Sequence, residues 1–146
     1  MTVKQISIFL ENRPGRLSEL TGLLEQNQLN LRALSLAETT DFGILRIIVS
    51  DPYQAVTVLK EAGYVCSVTK VLAVELPDRP GGLFDVLRVL GEGGVNLEYT
   101  YAFTARKKGA ACLILRVADN DAAIEVLGKN GVRPLCQEEL NDLFDD

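Results

Sequence analysis

The chain has 146 residues, 47% of them apolar and 24% charged. That balance excludes a disordered or fibrous class and leaves one ordinary domain, or two small ones packed on each other. Its 15 basic and 20 acidic side chains give a net charge of −5, which argues against nucleic acid as a main partner.

Residues 3–11 alternate Ile6, Ile8 and Leu10 against Ser7 and Phe9 and are predicted to form a strand. A turn follows at Asn12-Arg13-Pro14-Gly15. Leu17, Leu20, Leu23 and Leu24 then share one helical face, which fades at Asn27. Leu31–Thr39 alternates again, Thr40–Gly43 reads as a hairpin turn, and β-branched Ile44–Ser50 is a third strand. Asp51-Pro52 is a helix start, with Asp as N-cap and Pro at the first helical position. Ala55, Val56, Leu59 and Ala62 line that helix, Gly63 ends it, and Tyr64–Thr69 is a fourth strand. The order β-α-β-β-α-β is the ferredoxin-like arrangement.

The pattern then restarts. Val71–Leu76 is a strand, Pro77–Gly82 a turn, and Leu83, Val86, Leu87 and Leu90 a helical face that ends at Gly91, Gly93 and Gly94. Leu97–Arg106 carries Tyr99, Tyr101 and Phe103 on one side of a strand, Gly109–Val117 is the next strand, and Asp119 caps a helix ending at Asn130-Gly131. Val132–Leu135 is the expected last strand, weakened by Pro134. The acidic segment Gln137–Asp146 suits a short helix docked by Leu140, Leu143 and Phe144, or a frayed tail. Arg13-Pro14-Gly15 returns as Arg79-Pro80-Gly81 (79 − 13 = 66), and Asn30-Leu31 returns as Asn96-Leu97 at the same offset. From the second helix onward the offset is 68 (127 − 59 = 68), which places a two-residue insertion near Arg106-Lys107-Lys108-Gly109. Two α+β domains are therefore expected, residues 1–69 and 70–146.

The chain contains no histidine, hence neither the commonest general base nor the commonest metal ligand. It has no nucleotide-binding, zinc-protease or hydrolase motif, and catalysis is not expected. Cys66, Cys112 and Cys136 are odd in number and widely spaced, so disulfides and zinc are not expected and a reducing cytoplasm is. A thiol nucleophile remains the one enzymatic alternative. No apolar run approaches about 18 residues and a strand pattern begins at once, so neither a membrane span nor a signal peptide is expected. No cofactor is expected.

A strand that turns at Pro-Gly into a helix gathers unpaired backbone N–H groups at the positive end of the helix dipole, a place suited to an anion. The turns alone also have a purely structural reading, with Pro directing the strand exit and Gly permitting a tight backbone. The candidate site residues are Asn12, Arg13, Pro14, Gly15, Arg16 and Leu17, and in the second repeat Asp78, Arg79, Pro80, Gly81, Gly82 and Leu83. Asn30-Leu31 and Asn96-Leu97 open the strands that follow. They are expected near the same end of the sheet as the turns, so that Asn12 and Asn30 together serve an α-amino and α-carboxylate group. Asp78 favours an ammonium over a carboxylate, so two related but unequal sites are expected.

An apolar strand, (Asn/Asp)-Arg-Pro-Gly-x-Leu, a Leu-patterned helix and (Leu/Val)-Asn-Leu, occurring twice, resembles the ACT domain family. The resemblance implies a tandem regulatory protein that senses an amino acid at the interface between its two domains. It also implies a dimer and two sheets joined edge to edge into one eight-stranded sheet. In serine-binding members the Asn of the turn and the Asn before the second strand contact the ligand, positions matched by Asn12 and Asn30 and less fully by Asp78 and Asn96. Those members carry His two residues before the turn Asn, where Leu10 and Leu76 stand here, so serine does not follow. The alternative that the resemblance implies is an interaction subunit of an amino-acid-metabolism enzyme, similar to the acetolactate synthase small subunit, with no ligand of its own.

Overall fold

A computed structural model describes residues 1–38, 41–104 and 110–144 of the chain. The described residues hold β1 (Val3–Glu11), α1 (Arg16–Gln26), β2 (Leu31–Glu38), β3 (Phe42–Val49), α2 (Pro52–Glu61) and β4 (Val65–Pro77). They continue with α3 (Gly82–Glu92), β5 (Leu97–Thr104), β6 (Ala110–Val117), α4 (Asn120–Lys129) and α5 (Gln137–Asp142). Two compact units result, one of Lys4–Thr69 and one of Lys70–Asp146 together with Met1–Val3.

In the first unit the strands run in the order β2-β3-β1 and then the start of β4. Ile6 sits opposite Ile47, and Leu10 opposite Gly43, in an antiparallel ladder. The period-2 pattern decides which side is core. Ile6, Ile8, Leu45, Ile47 and Val49 meet Leu20, Leu24, Ala55 and Leu59 from the two helices, all buried. Burying a side chain of this size contributes about 1.5–3 kcal/mol.

The second unit has the order β4-β6-β5. Leu72, Val74, Leu113 and Leu115 of the sheet pack on Val86, Leu90, Ala123 and Leu127 of α3 and α4. The helices approach closely: a Cβ at Gly93 would lie 2.5 Å from a methyl carbon of Val126.

Three details differ from the sequence reading. The strands expected at Tyr64–Thr69 and Val71–Leu76 are one continuous β4, because no turn residue separates them. Val132–Leu135 is not a strand. Pro134 has no N–H to give a ladder, and what remains is one bond from Leu135 N–H to the carbonyl of Ala73, 2.7 Å. Fusion of two expected strands and loss of one leave six strands among the described residues. Phe42 and Gly43, read as turn, lie inside β3 opposite Glu11 and Leu10. The expected turn residue Thr40, strand end Thr39 and insertion at Arg106–Gly109 lie outside the described residues. Gln137–Asp142 is helical, Leu140 is buried, and Phe144 stacks on Phe103 with ring centroids 5.2 Å apart. Among the described residues no helix is long and apolar enough to cross a membrane.

Candidate functional site

Among the described residues, four helices of eight or more residues start in two different ways. Asp51 caps α2 by accepting from Gln54 N–H, and Asp119 caps α4 by accepting from Ala122 N–H. The helices that follow the Pro-Gly turns, α1 and α3, have no side-chain cap. Their N-cap residues are Gly15 (φ 87°) and Gly81 (φ 89°), in the left-handed region that glycine occupies without the Cβ clash of other residues. At the first turn the Arg16 N–H reaches the Arg13 carbonyl at 3.4 Å, and the first helical bond runs from Glu19 N–H to the Gly15 carbonyl at 2.9 Å. Leu17 and Ser18 lie between them, and their N–H groups precede the first carbonyl they could use within the helix.

Arg16 and Leu17 at the start of α1 border a cavity of about 110 Å³. Leu10, Leu17 and Leu36 form its apolar lining with Gly43, and Glu11, Asn12, Arg13 and Arg16 its polar one. The Asn12 N–H donates to the Asp41 carbonyl at 2.9 Å and ties the turn to the β3 end of the sheet. Two arginines belong to this lining, and their surroundings divide their roles. Arg13 is exposed and its Nε donates to Glu11 Oε2 at 2.9 Å. That bond, and the charge behind it, hold the Glu11 carboxyl below its ordinary range. Arg16 is only 19% exposed. It donates from Nη1 to Glu19 Oε2 at 3.2 Å, and its guanidinium carbon lies 5.0 Å from the centre of the Tyr64 ring. The Arg16 Nε and the Tyr64 hydroxyl are both buried without a hydrogen-bond partner. Arg16 is thus the cation of this turn with donor capacity left over.

The second turn repeats the backbone and loses the cation. Gly82 stands where Arg16 does, and a Cβ there would lie 2.4 Å from the Pro77 carbonyl oxygen, so the backbone excludes any side chain. Val132 stands at the place of Tyr64. Arg79 is taken up by the Pro80 carbonyl at 3.1 Å and by Asp85 Oδ2 at 3.2 Å. Leu83 and Phe84 are exposed beside it.

Asn30 is not at this end of the sheet, contrary to the expectation drawn from the sequence. Glu11 pairs with Phe42, at one end of β3, whereas Leu31 pairs with Val49, at the other. Seven residue steps of about 3.3 Å put the Asn12 and Asn30 positions roughly 20 Å or more apart. The reason is topological: α1 carries the chain back along the sheet before β2 begins, so β2 starts where β1 started. Asn30 instead closes a local exchange, its N–H donating to Ser50 Oγ at 3.1 Å and its carbonyl accepting from Ser50 N–H at 3.0 Å. Leu31 packs on the first core. Asn96 and Leu97 stand likewise, since Leu97 pairs with Val117 while Pro77, just before Asp78, pairs with Ala110. Leu36, Gly43 and Tyr64 were not singled out from the sequence. The Leu10–Gly43 register, once derived from the hairpin, was the signal that could have found the first two.

The Cys112 thiol is pushed up to about 12 by burial and then by the charge of Glu75, which keeps it protonated and poor as a nucleophile at neutral pH. Among the described residues no group of three or more His, Cys, Asp or Glu could hold a metal ion.

A family model described as "ACT domain pair" matches residues 1–144. The crystal structure of protein BT0572 from Bacteroides thetaiotaomicron is 43% identical with a TM-score of 0.90, over 96% of each chain. The ligand-free regulatory subunit of aspartate kinase from Thermus thermophilus is 14% identical with a TM-score of 0.64, over 86% of this chain and 91% of its own. An aspartate kinase from Synechocystis, 20% identical, matches with a TM-score of 0.56 over 88% of this chain and 26% of its own. The last two likenesses are of fold. No curated protein matches the chain.

Proposed function

This chain belongs to the ACT domain-pair family, and on that footing we propose that it is a regulatory protein that binds a small free amino acid at its first Pro-Gly turn. The observation that carries the reading is the contrast between the turns. Both present uncapped helix amides; the first adds a mostly buried arginine beside a cavity of about 110 Å³, where the second has Gly82. In this reading the ligand carboxylate accepts from the Leu17 and Ser18 N–H groups and from Arg16. The dipole of α1 and the positive charge act on it together. The ammonium group faces Glu11, which its low pKa keeps ionised. The cavity has the volume of about four waters, which suits the backbone end of a free amino acid.

The regulatory role rests on the likeness to ACT regulatory domains. A named structural neighbour is the regulatory subunit of an aspartate kinase, and an enzyme of amino-acid metabolism is the corresponding partner proposed here. Asn30 and Asn96 are not partners of their own repeat's turn in this reading, because each lies at the far end of its own sheet from that turn.

Isothermal titration with the twenty amino acids tests the reading. Saturable binding of a small amino acid, weakened by Arg16→Gln and untouched by Arg79→Gln, is expected. Binding that Arg16→Gln leaves unchanged removes the first turn from the site. Absence of binding by all twenty favours a docking subunit with no ligand of its own.

A further inference from the structure

The first repeat leaves two leucines half-exposed beside the cavity at its turn. Leu34 and Leu36 lie opposite Ile47 and Leu45 of β3, which are buried in the first core, so both leucines project from the helix-covered face of the sheet. β2 is an outer strand, and there Leu34 remains 47% and Leu36 44% exposed. One exposed leucine is ordinary. These two are neighbours on one face, and Leu36 also lines the cavity with Leu10, Arg16 and Leu17.

The second repeat fills the same places differently. Thr100 opposite Leu115 and Ala102 opposite Leu113 correspond to Leu34 opposite Ile47 and Leu36 opposite Leu45. Thr100 and Ala102 thus stand where the first repeat has leucine, and the Thr100 hydroxyl donates to the Ile114 carbonyl. Leu76 opposite Ala111 likewise corresponds to Leu10 opposite Gly43. Opposite residues of an antiparallel ladder project to one face, so beside Leu10 the first repeat omits the methyl group that Ala111 carries beside Leu76. A glycine within a strand marks a place of close approach. The fold itself is built with and without Leu36 and Gly43, so its packing does not require them.

We infer that Leu36, with Leu34 behind it, selects the side chain of the bound amino acid, and that the ligand is aliphatic and of about the size of valine. The inference rests on the ligand reading above. The backbone end of the ligand fills the cavity over Gly43, so its side chain leaves through the mouth. The carboxylate is turned to the start of α1 and the ammonium group to Glu11. Glu11 lies opposite Phe42 and Leu36 opposite Leu45, on either side of Gly43 along β3, so the direction left to the side chain is over Leu36. An aliphatic group laid there takes apolar surface of both partners out of water. A hydroxyl or a charge would give up hydration and find no partner in leucine.

Isothermal titration of the full chain with glycine, valine and threonine reads this contact, because all of them share one backbone end and the last two share one shape. Valine is expected to bind about tenfold or more tightly than glycine, and threonine about tenfold more weakly than valine. Leu36→Ala should bring valine to within about threefold of glycine. Leu36 is exposed enough that this variant should keep the fold, and the comparison of ligands on the wild-type chain stands without it. Threonine binding as tightly as valine, or an advantage of valine that survives Leu36→Ala, overturns the inference and leaves the turn site standing where Arg16→Gln still weakens binding. Binding of other amino acids but not of valine overturns the inference alone, and binding of none of the twenty overturns both it and the ligand reading.

Discussion

Arg16→Ala isolates what distinguishes the first turn from the second. The substitution removes a guanidinium lying 5.0 Å from the centre of the Tyr64 ring and an exposed i,i+3 pair with Glu19. A partly buried cation–π contact contributes about 1 kcal/mol and the helical pair about 0.3 kcal/mol. Alanine is the better helix former and returns a few tenths. The net cost to stability should therefore be close to 1 kcal/mol, a fall in Tm of about 3–4 °C for a chain of this length. The cost to binding should be larger. A hydrogen bond to a carboxylate from a charged donor contributes about 1.5–3 kcal/mol, which corresponds to a loss of affinity of about 10- to 150-fold. Urea unfolding and isothermal titration on the same preparation separate the two quantities. Affinity lost in proportion to stability alone, or affinity unchanged, would refute the assignment of Arg16 to the ligand.

Other outcomes follow from particular atoms. Gly82→Ala forces a methyl group against the Pro77 carbonyl and should cost about 1–3 kcal/mol in chemical unfolding, whereas Gly22→Ala, with open space around its Cβ on α1, should stabilise by up to about 1 kcal/mol. Leu20→Ala, in the first core and fully buried, should cost about 2–5 kcal/mol by the same assay. Glu139, held to about 2 first by its bonds from Arg133, titrates from an ordinary value of 4.5 when that contact is lost. Its contribution to docking α5 is present above about 4.5 and is lost as pH falls from there toward 2. Amide protection at Leu140–Phe144, corrected for the intrinsic pH dependence of exchange, should therefore fall over that window, and Glu139→Gln should remove that fall. Cys112 should resist alkylation at pH 8 in the folded chain and react on unfolding, because burial holds its thiol near 12.

The fold was legible because each element declares itself locally. Alternation of Ile6, Ile8 and Leu10, the Leu17–Leu24 face and the Asp51-Pro52 start all act over a few residues, and the structure uses each as read. The turns were legible for the same reason, since Pro-Gly between a strand and a helix constrains its own backbone. What failed depended on contacts distant in sequence. Asn12 and Asn30 seemed to form one constellation because both carry amides and both recur at one offset, but the direction in which α1 returns the chain decides their separation. The roles of Arg13 and Arg16 were equally open in the sequence. Glu11, two residues back, takes up the first, while Tyr64, far along the chain, shelters the second. The close approach of the Pro77 carbonyl to Gly82 had no sequence signal beyond the glycine itself, and it is what makes the two turns unequal.

The most direct measurement of the central claim is a titration of the isotope-labelled chain with the small amino acids, followed by backbone amide chemical shifts. The account expects saturable shifts that are largest at Leu17 and Ser18, with smaller ones at Asn12 and Gly43 and none at Leu83 and Phe84. Shifts centred on Gly82–Phe84 with the first turn silent, or no shifts with any amino acid, would contradict it.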